Sequence, residues 1–92
     1  MSKHIDELRQ EINQIDEQLV ALIEARMEVA QDIAAYKQAN DLPVFDEVRE
    51  QEVIEKNVAL LKNQTLYGSG YREIIQKIMD ASKDIQREYL SK

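Results

Sequence analysis

The chain has 92 residues and a formal net charge of −6, with 18 acidic side chains against 12 basic ones, so it holds one domain at most and is a poor candidate for a nucleic-acid partner. It has no cysteine and a single histidine, His4, which excludes disulfides, iron–sulfur clusters, thiolate zinc sites and cysteine nucleophiles and leaves a serine–histidine pair without support. The apolar fraction of 43% is enough for a core, and no signal peptide or run approaching the ~18 apolar residues of a membrane span is apparent, so a cytoplasmic protein with no membrane partner is expected.

The chain breakers fall in two places: Pro43 alone, and Gly68 with Gly70. This predicts an all-α chain of three helices and two loops in a single domain spanning 1–92. Helix 1 is predicted over 5–39. Its seam runs Ile5, Leu8, Ile12, Ile15, Leu19, Leu22, Arg26, Val29, Ile33, with spacings of three and four, the pattern of a helix packed against other helices. Arg26 stands where a leucine belongs. Arginine is seldom buried without a partner, and no acidic residue of the seam pairs with it. At 1.5 Å per residue the helix reaches about 50 Å, longer than a compact domain with a radius of gyration of about 12 Å is wide. A lone monomer would leave part of the seam wet, so a two-fold homodimer is expected.

Residues 40–44 read as a loop, with Asn40 expected in the left-handed cap conformation and Pro43 unable to continue a helix. Asp46 is the expected N-cap of helix 2, predicted over 46–62 with the face Glu50, Ile54, Val58, Leu61. A second loop is predicted at 63–70, around Gly68-Ser69-Gly70, and helix 3 at 71–90. The seam of helix 3 is Tyr71, Ile75, Ile78, Ser82, Ile85, Tyr89. Gln86, one turn after Ser82, shares that side.

Each helix thus carries polar residues on an apolar face: Arg26, then Glu50, then Ser82 with Gln86. Lys37 lies about three turns after Arg26 on nearly the same side. Arg9 flanks the helix 1 seam and Arg49 sits beside Glu50. Singly, each has a plain reading. Arg26 is a snorkelling side chain or half of an ion pair with Glu50. Glu50 is a favourable charge near a helix N-terminus. Ser82 is a small packing residue, and Lys37, Arg9 and Gln86 are solvated. Together they suggest a polar pocket between helices. Several arginines and lysines imply a ligand with more than one carboxylate or phosphate. With no activated nucleophile and no metal cluster in view, any chemistry would proceed by positioning and electrostatic stabilisation.

These residues resemble the all-helical chorismate mutases, the AroQ class, over essentially the whole chain. The resemblance is carried by Leu8-Arg9-Gln10-Glu11-Ile12 with Ile15-Asp16, Leu22-Ile23-Glu24-Ala25-Arg26, Tyr36-Lys37, Pro43-Val44-Phe45-Asp46 with Arg49-Glu50, and Ser82-Lys83-Asp84-Ile85-Gln86. It implies an intertwined six-helix homodimer with two equivalent sites. The reaction implied is the [3,3] rearrangement of chorismate to prephenate in phenylalanine and tyrosine biosynthesis, which needs no cofactor, metal or covalent intermediate.

By the same resemblance, Arg26 would bind one substrate carboxylate and Arg9 would reach another from the partner subunit. Lys37 and Gln86 would hydrogen-bond the ether oxygen. Glu50 would hold the ring hydroxyl with Asp46 organising that end, Ser82 would contact a carboxylate, and Arg49 would sit at the rim. Because Gln86 is neutral, activity should vary little across neutral pH. Two alternatives stay open. One is isochorismate–pyruvate lyase, whose pattern is less polar at Glu50 and Ser82. The other is a non-catalytic module that binds chorismate or prephenate, or serves dimerisation, for a fused or associated shikimate-pathway enzyme. The ends of the chain suit a free-standing enzyme or an excised domain.

Overall fold

The computed structural model describes residues 4–91, and within them the chain forms three helices and no strand: α1 (Ile5–Ala39), α2 (Glu47–Ala59) and α3 (Gln64–Leu90). The all-α expectation holds. The domain expected over 1–92 takes in residues 1–3 and 92, which lie outside the described residues.

Nothing interrupts α1, because its 35 residues contain neither glycine nor proline. It opens at His4, whose Nδ1 accepts the Asp6 backbone N–H at 3.2 Å. Asp6 and Glu7 in the first turn and Lys37 in the last complement the helix dipole. The turn after α1 differs by one residue from expectation. Asn40 has φ −114°, and the left-handed residue is Asp41 at φ 56°. Asn40 stays tied to the helix, since its backbone N–H and its side-chain amide both donate to the Tyr36 carbonyl. The chain therefore reverses at Asp41, and aspartate tolerates that conformation better than most residues.

Asp46 caps α2 as expected, its Oδ1 accepting the Arg49 N–H at 3.1 Å. The helix stops at Ala59, short of the predicted 62. The Leu60 and Leu61 N–H groups bond instead to the carbonyls three residues back, those of Asn57 and Val58.

The larger correction is at α3, which begins at Gln64 and not at 71. The expected 63–70 loop is a cap and the first turns of a helix. Asn63 is the cap, its Oδ1 accepting the Leu66 N–H at 3.0 Å. The two glycines that suggested a loop cost helix propensity of ~1 kcal/mol each, which tertiary packing outweighs. Gly68 is buried against α2, and neither glycine has a positive φ.

α3 is the hub, packing against both α1 and α2, which do not pack against each other among the described residues. Ile75 and Met79 meet Ile54 and Val58 in the core, with Val53, Leu61, Tyr71 and Ile78 around them. On α1 the buried residues are Ala30 and Ala34, whose small side chains let α3 approach closely. Every residue from His4 to Leu22 is exposed, the seam residues Leu8, Ile12, Ile15 and Leu19 included. The molecule is accordingly 58 Å long, with a radius of gyration of 16.7 Å, against about 12 Å for a compact chain of this length.

A Cβ at Gly70 would meet nothing within 4 Å. Gly70→Ala should therefore stabilise the protein by about 0.5–1 kcal/mol in denaturant unfolding. A neutral or destabilising result would return residues 64–70 to a loop.

Candidate active site

A cavity of about 440 Å³ opens where α1, the 40–46 loop, α2 and α3 meet. Its apolar wall is Val29, Ala30 and Ile33 from α1, Val44, Val53 and Met79. Seven of the eight residues singled out in the sequence line it: Arg26 and Lys37 from α1, Asp46, Arg49 and Glu50 from the start of α2, and Ser82 and Gln86 from α3. Arg9 does not. It lies on the exposed half of α1 with its side chain 72% exposed, and its nearest counter-charge is Asp6 at 3.9 Å.

The eleven-residue spacing on α1 puts Arg26 and Lys37 on nearly one side, and α3 carries Ser82 and Gln86 one turn apart on the same cavity. Ser82 and Gln86 are the buried polar residues of the core, at 7% and 6% exposure. Gln86 Nε2 donates to Ser82 Oγ at 3.3 Å, while Gln86 Oε1 has no partner among the described residues. An unmet buried polar atom costs about 1–3 kcal/mol. A half-turn of the amide would let Ser82 donate to Oε1 and present the NH₂ group to the cavity.

Lys37 Nζ donates to the Val44 carbonyl at 2.8 Å, fastening the loop to the end of α1. An ammonium has three donors, so two remain. Arg26 is half-buried and has no ion-pair or hydrogen-bond partner among the described residues. The internal alternative, an Arg26–Glu50 pair, is not formed. Glu50 Oε2 lies 2.9 Å from Lys83 Nζ, and Glu50 Oε1 accepts from Gln76 Nε2 at 3.4 Å. The cavity wall holds four cations, Arg26, Lys37, Arg49 and Lys83, against two carboxylates, Asp46 and Glu50. That excess of two positive charges sits in a chain of net charge −6 and matches a doubly charged anion.

Residues 8–87 match the model of the family described as Chorismate mutase type II. The chain belongs to that family. Among its relatives, the bifunctional chorismate mutase/prephenate dehydratase of Aquifex aeolicus is 34% identical, the match covering 96% of this chain and 26% of that protein. The chorismate mutase of Methanocaldococcus jannaschii is 28% identical, covering 98% and 91%. A solved structure, a conserved hypothetical protein from Pyrococcus furiosus, superposes with a TM-score of 0.75 at 36% identity, covering 94% of this chain and 99% of that one. The chain thus spans about a quarter of the Aquifex relative and nearly all of the other two.

This chorismate mutase family member also places in its cavity a residue to which the sequence assigned no role. Lys83 follows Ser82 directly, so it falls about 100° round the helix, outside the seam. Nothing local marks it until α2 and the 40–46 loop are in place beside it. Its Nζ reaches Glu50 at 2.9 Å and Asp80 at 3.5 Å, and stands 4.6 Å from the centroid of the Phe45 ring. Hydrogen bonding to the Glu50 carboxylate holds the Lys83 ammonium above the usual lysine range, with Asp80 adding to the effect. Asp80 is held below the usual carboxylate range, chiefly by the Gln76 amide and then by Lys83. Away from the cavity, Arg72 grips Glu55 with hydrogen bonds of 2.6 and 3.1 Å, an exposed link between α3 and α2.

A raised lysine contributes stability that is fully present below its unfolded value of about 10.4 and is lost as pH rises through the folded one. Thermal unfolding followed from pH 9 to 12 should show this loss in the wild type, and Lys83→Met should remove the Lys83 share of the slope. An unchanged slope would mean that the Glu50–Lys83 pair does not persist in solution.

Proposed function

We propose that the cavity performs the reaction for which its family is named, the rearrangement of chorismate to prephenate. The observation that carries this reading is the convergence of Arg26, Lys37, Glu50 and Gln86 on one cavity with two positive charges in excess. Chorismate is a flexible dianion. It must fold so that the ether C–O bond can break as the new C–C bond forms at the ring. Arg26 clamps one carboxylate and thereby selects the folded shape, which is a positioning effect. Ser82 contacts a carboxylate from α3, and Arg49 helps neutralise the dianion at the rim. Glu50 accepts the ring hydroxyl, with Asp46 ordering that end.

Lys37 and Gln86 donate to the ether oxygen. Negative charge gathers there in the transition state, so these contacts act on rate more than on binding. The two donors that Lys37 keeps beyond its bond to Val44 support this role. No proton, metal or cofactor takes part in the proposed reaction.

The second carboxylate needs a further cation, and we assign it to Arg9 of a second copy of the chain. The support is the exposed apolar seam from Ile5 to Leu22, which in an intertwined dimer packs against the partner and carries Arg9 with it. The name of the Aquifex relative supports a fused or associated shikimate-pathway enzyme as a further partner. The Methanocaldococcus relative, called simply chorismate mutase and matched over 91% of its length, supports a mutase of this size alone.

Incubation with chorismate and, separately, isochorismate, followed by NMR, tests the reading. Prephenate from chorismate is expected. Salicylate with pyruvate from isochorismate would show a lyase, and no product a binding module. Lys37→Ala should lose ~3–4 kcal/mol of transition-state stabilisation, seen mainly in kcat; full turnover would refute its role.

Subunit complementation tests the shared site. Arg9→Ala and Arg26→Ala should each be nearly inactive alone. Refolded together in equal amounts, they should recover about one quarter of wild-type activity, since half the dimers are mixed and each mixed dimer has one intact site. No recovery would place Arg9 in its own subunit's site, and full activity of Arg9→Ala alone would place it outside catalysis.

A further inference from the structure

We infer that Lys83 is a positioning residue of this site, holding the Glu50 carboxylate away from Arg26 and Lys37 and turned toward the substrate's ring end. The inference rests on the mutase reading above.

Glu50 is the carboxylate of the cavity wall with the fewest ways out. Its side chain is 15% exposed and that of Lys83 16%, so neither charge is free to relax into water. A carboxylate in such a place seeks a cation. Without Lys83, the cations left on the same wall are Arg26, Lys37 and Arg49, the groups proposed to take the substrate's charge. An empty site in which Glu50 turned to them would be self-neutralised, and a dianion would have to break that pair before it could bind.

Lys83 removes the conflict in three steps. It takes Glu50 Oε2 at 2.9 Å, while Gln76 donates to Oε1 at 3.4 Å, so the carboxylate is held by both oxygens from the α3 side. Asp80 at 3.5 Å and the Phe45 ring at 4.6 Å hold the Lys83 head in turn. Phe45 directly precedes Asp46, the cap of α2, so a single side chain joins the loop, α2 and α3 around the acid. Arg26 is thereby left without an internal partner.

Lys83→Met should lower kcat/KM by about tenfold, the range of one lost charge-assisted hydrogen bond, with the larger share in KM. Lys83→Arg should restore most of it. The deciding measurement is the same substitution in a Glu50→Gln background. Glutamine carries no charge to be held away from the arginines, so Lys83→Met should cost less than about threefold there. Circular dichroism and denaturant unfolding monitor the fold, and Lys83→Gln replaces Lys83→Met in the cycle where the latter does not fold. Equal losses in both backgrounds, or no loss in the wild-type background, would overturn the inference and leave the mutase reading standing. A wild-type protein that does not turn over chorismate would overturn both.

Discussion

A guanidinium half-buried between helices is costly unless an anion meets it, and among the described residues nothing meets Arg26. The rest of the cavity is arranged around that fact. Glu50, an acid of the same cavity wall, is held by Lys83 and Gln76. Lys37 is tied to a loop carbonyl, which carries a dipole and no full charge. The wall's two carboxylates are committed to partners within the chain, and the cavity keeps an excess of positive charge. A ligand that brings two negative charges would stabilise a site so built. That is preorganisation in the strict sense, because no group has to move its charge when the ligand arrives.

The same helix poses a second problem of the same form. From Ile5 to Leu22 α1 has an apolar seam with nothing on it, and a helix of that length has little stability of its own in water. Both deficits fall on α1, one of charge and one of area. On the dimer reading they are met by one act, since the copy that covers the seam also delivers Arg9. On that reading folding and site assembly would be a single equilibrium. A chain unable to dimerise would lose the outer half of α1 and the second carboxylate contact together.

Much of this is legible in the amino-acid sequence alone. The alternation of three and four along α1 marks the helix and its seam, and Asp46 is recognisable as a cap from residue type. Arg26, Glu50, Ser82 and Gln86 stand out because each is polar on an apolar face of its own helix, a signal that lies within one element, whereas Lys37, Asp46 and Arg49 gain their roles from the family resemblance. What stays hidden depends on contacts between elements. Gly68 and Gly70 look like a loop until α2 is packed against Gly68. Asn40 is the better left-handed candidate by type, but its side chain is committed to the Tyr36 carbonyl, and Asp41 takes the turn. Lys83 lies off the seam, where a lysine is ordinarily solvated. Its role exists only because Glu50 and Phe45, distant in sequence, arrive beside it.

The division of polar groups between α1 and α3 also bears on how such a cavity would accelerate the proposed rearrangement without acid–base chemistry. On the proposed reading the arginines meet groups that are fully charged in substrate and transition state alike, so they would mainly bind and shape. The buried end at Ser82 and Gln86 is neutral, and Gln86 Oε1 has no partner there among the described residues. A neutral amide gains little from an ether oxygen in the ground state and more as that oxygen becomes anionic. Its contribution is therefore differential, which is the condition for raising kcat. A carboxylic acid in that place could do the same only while protonated, and its burial would make its charge state the controlling variable. Glutamine avoids that dependence.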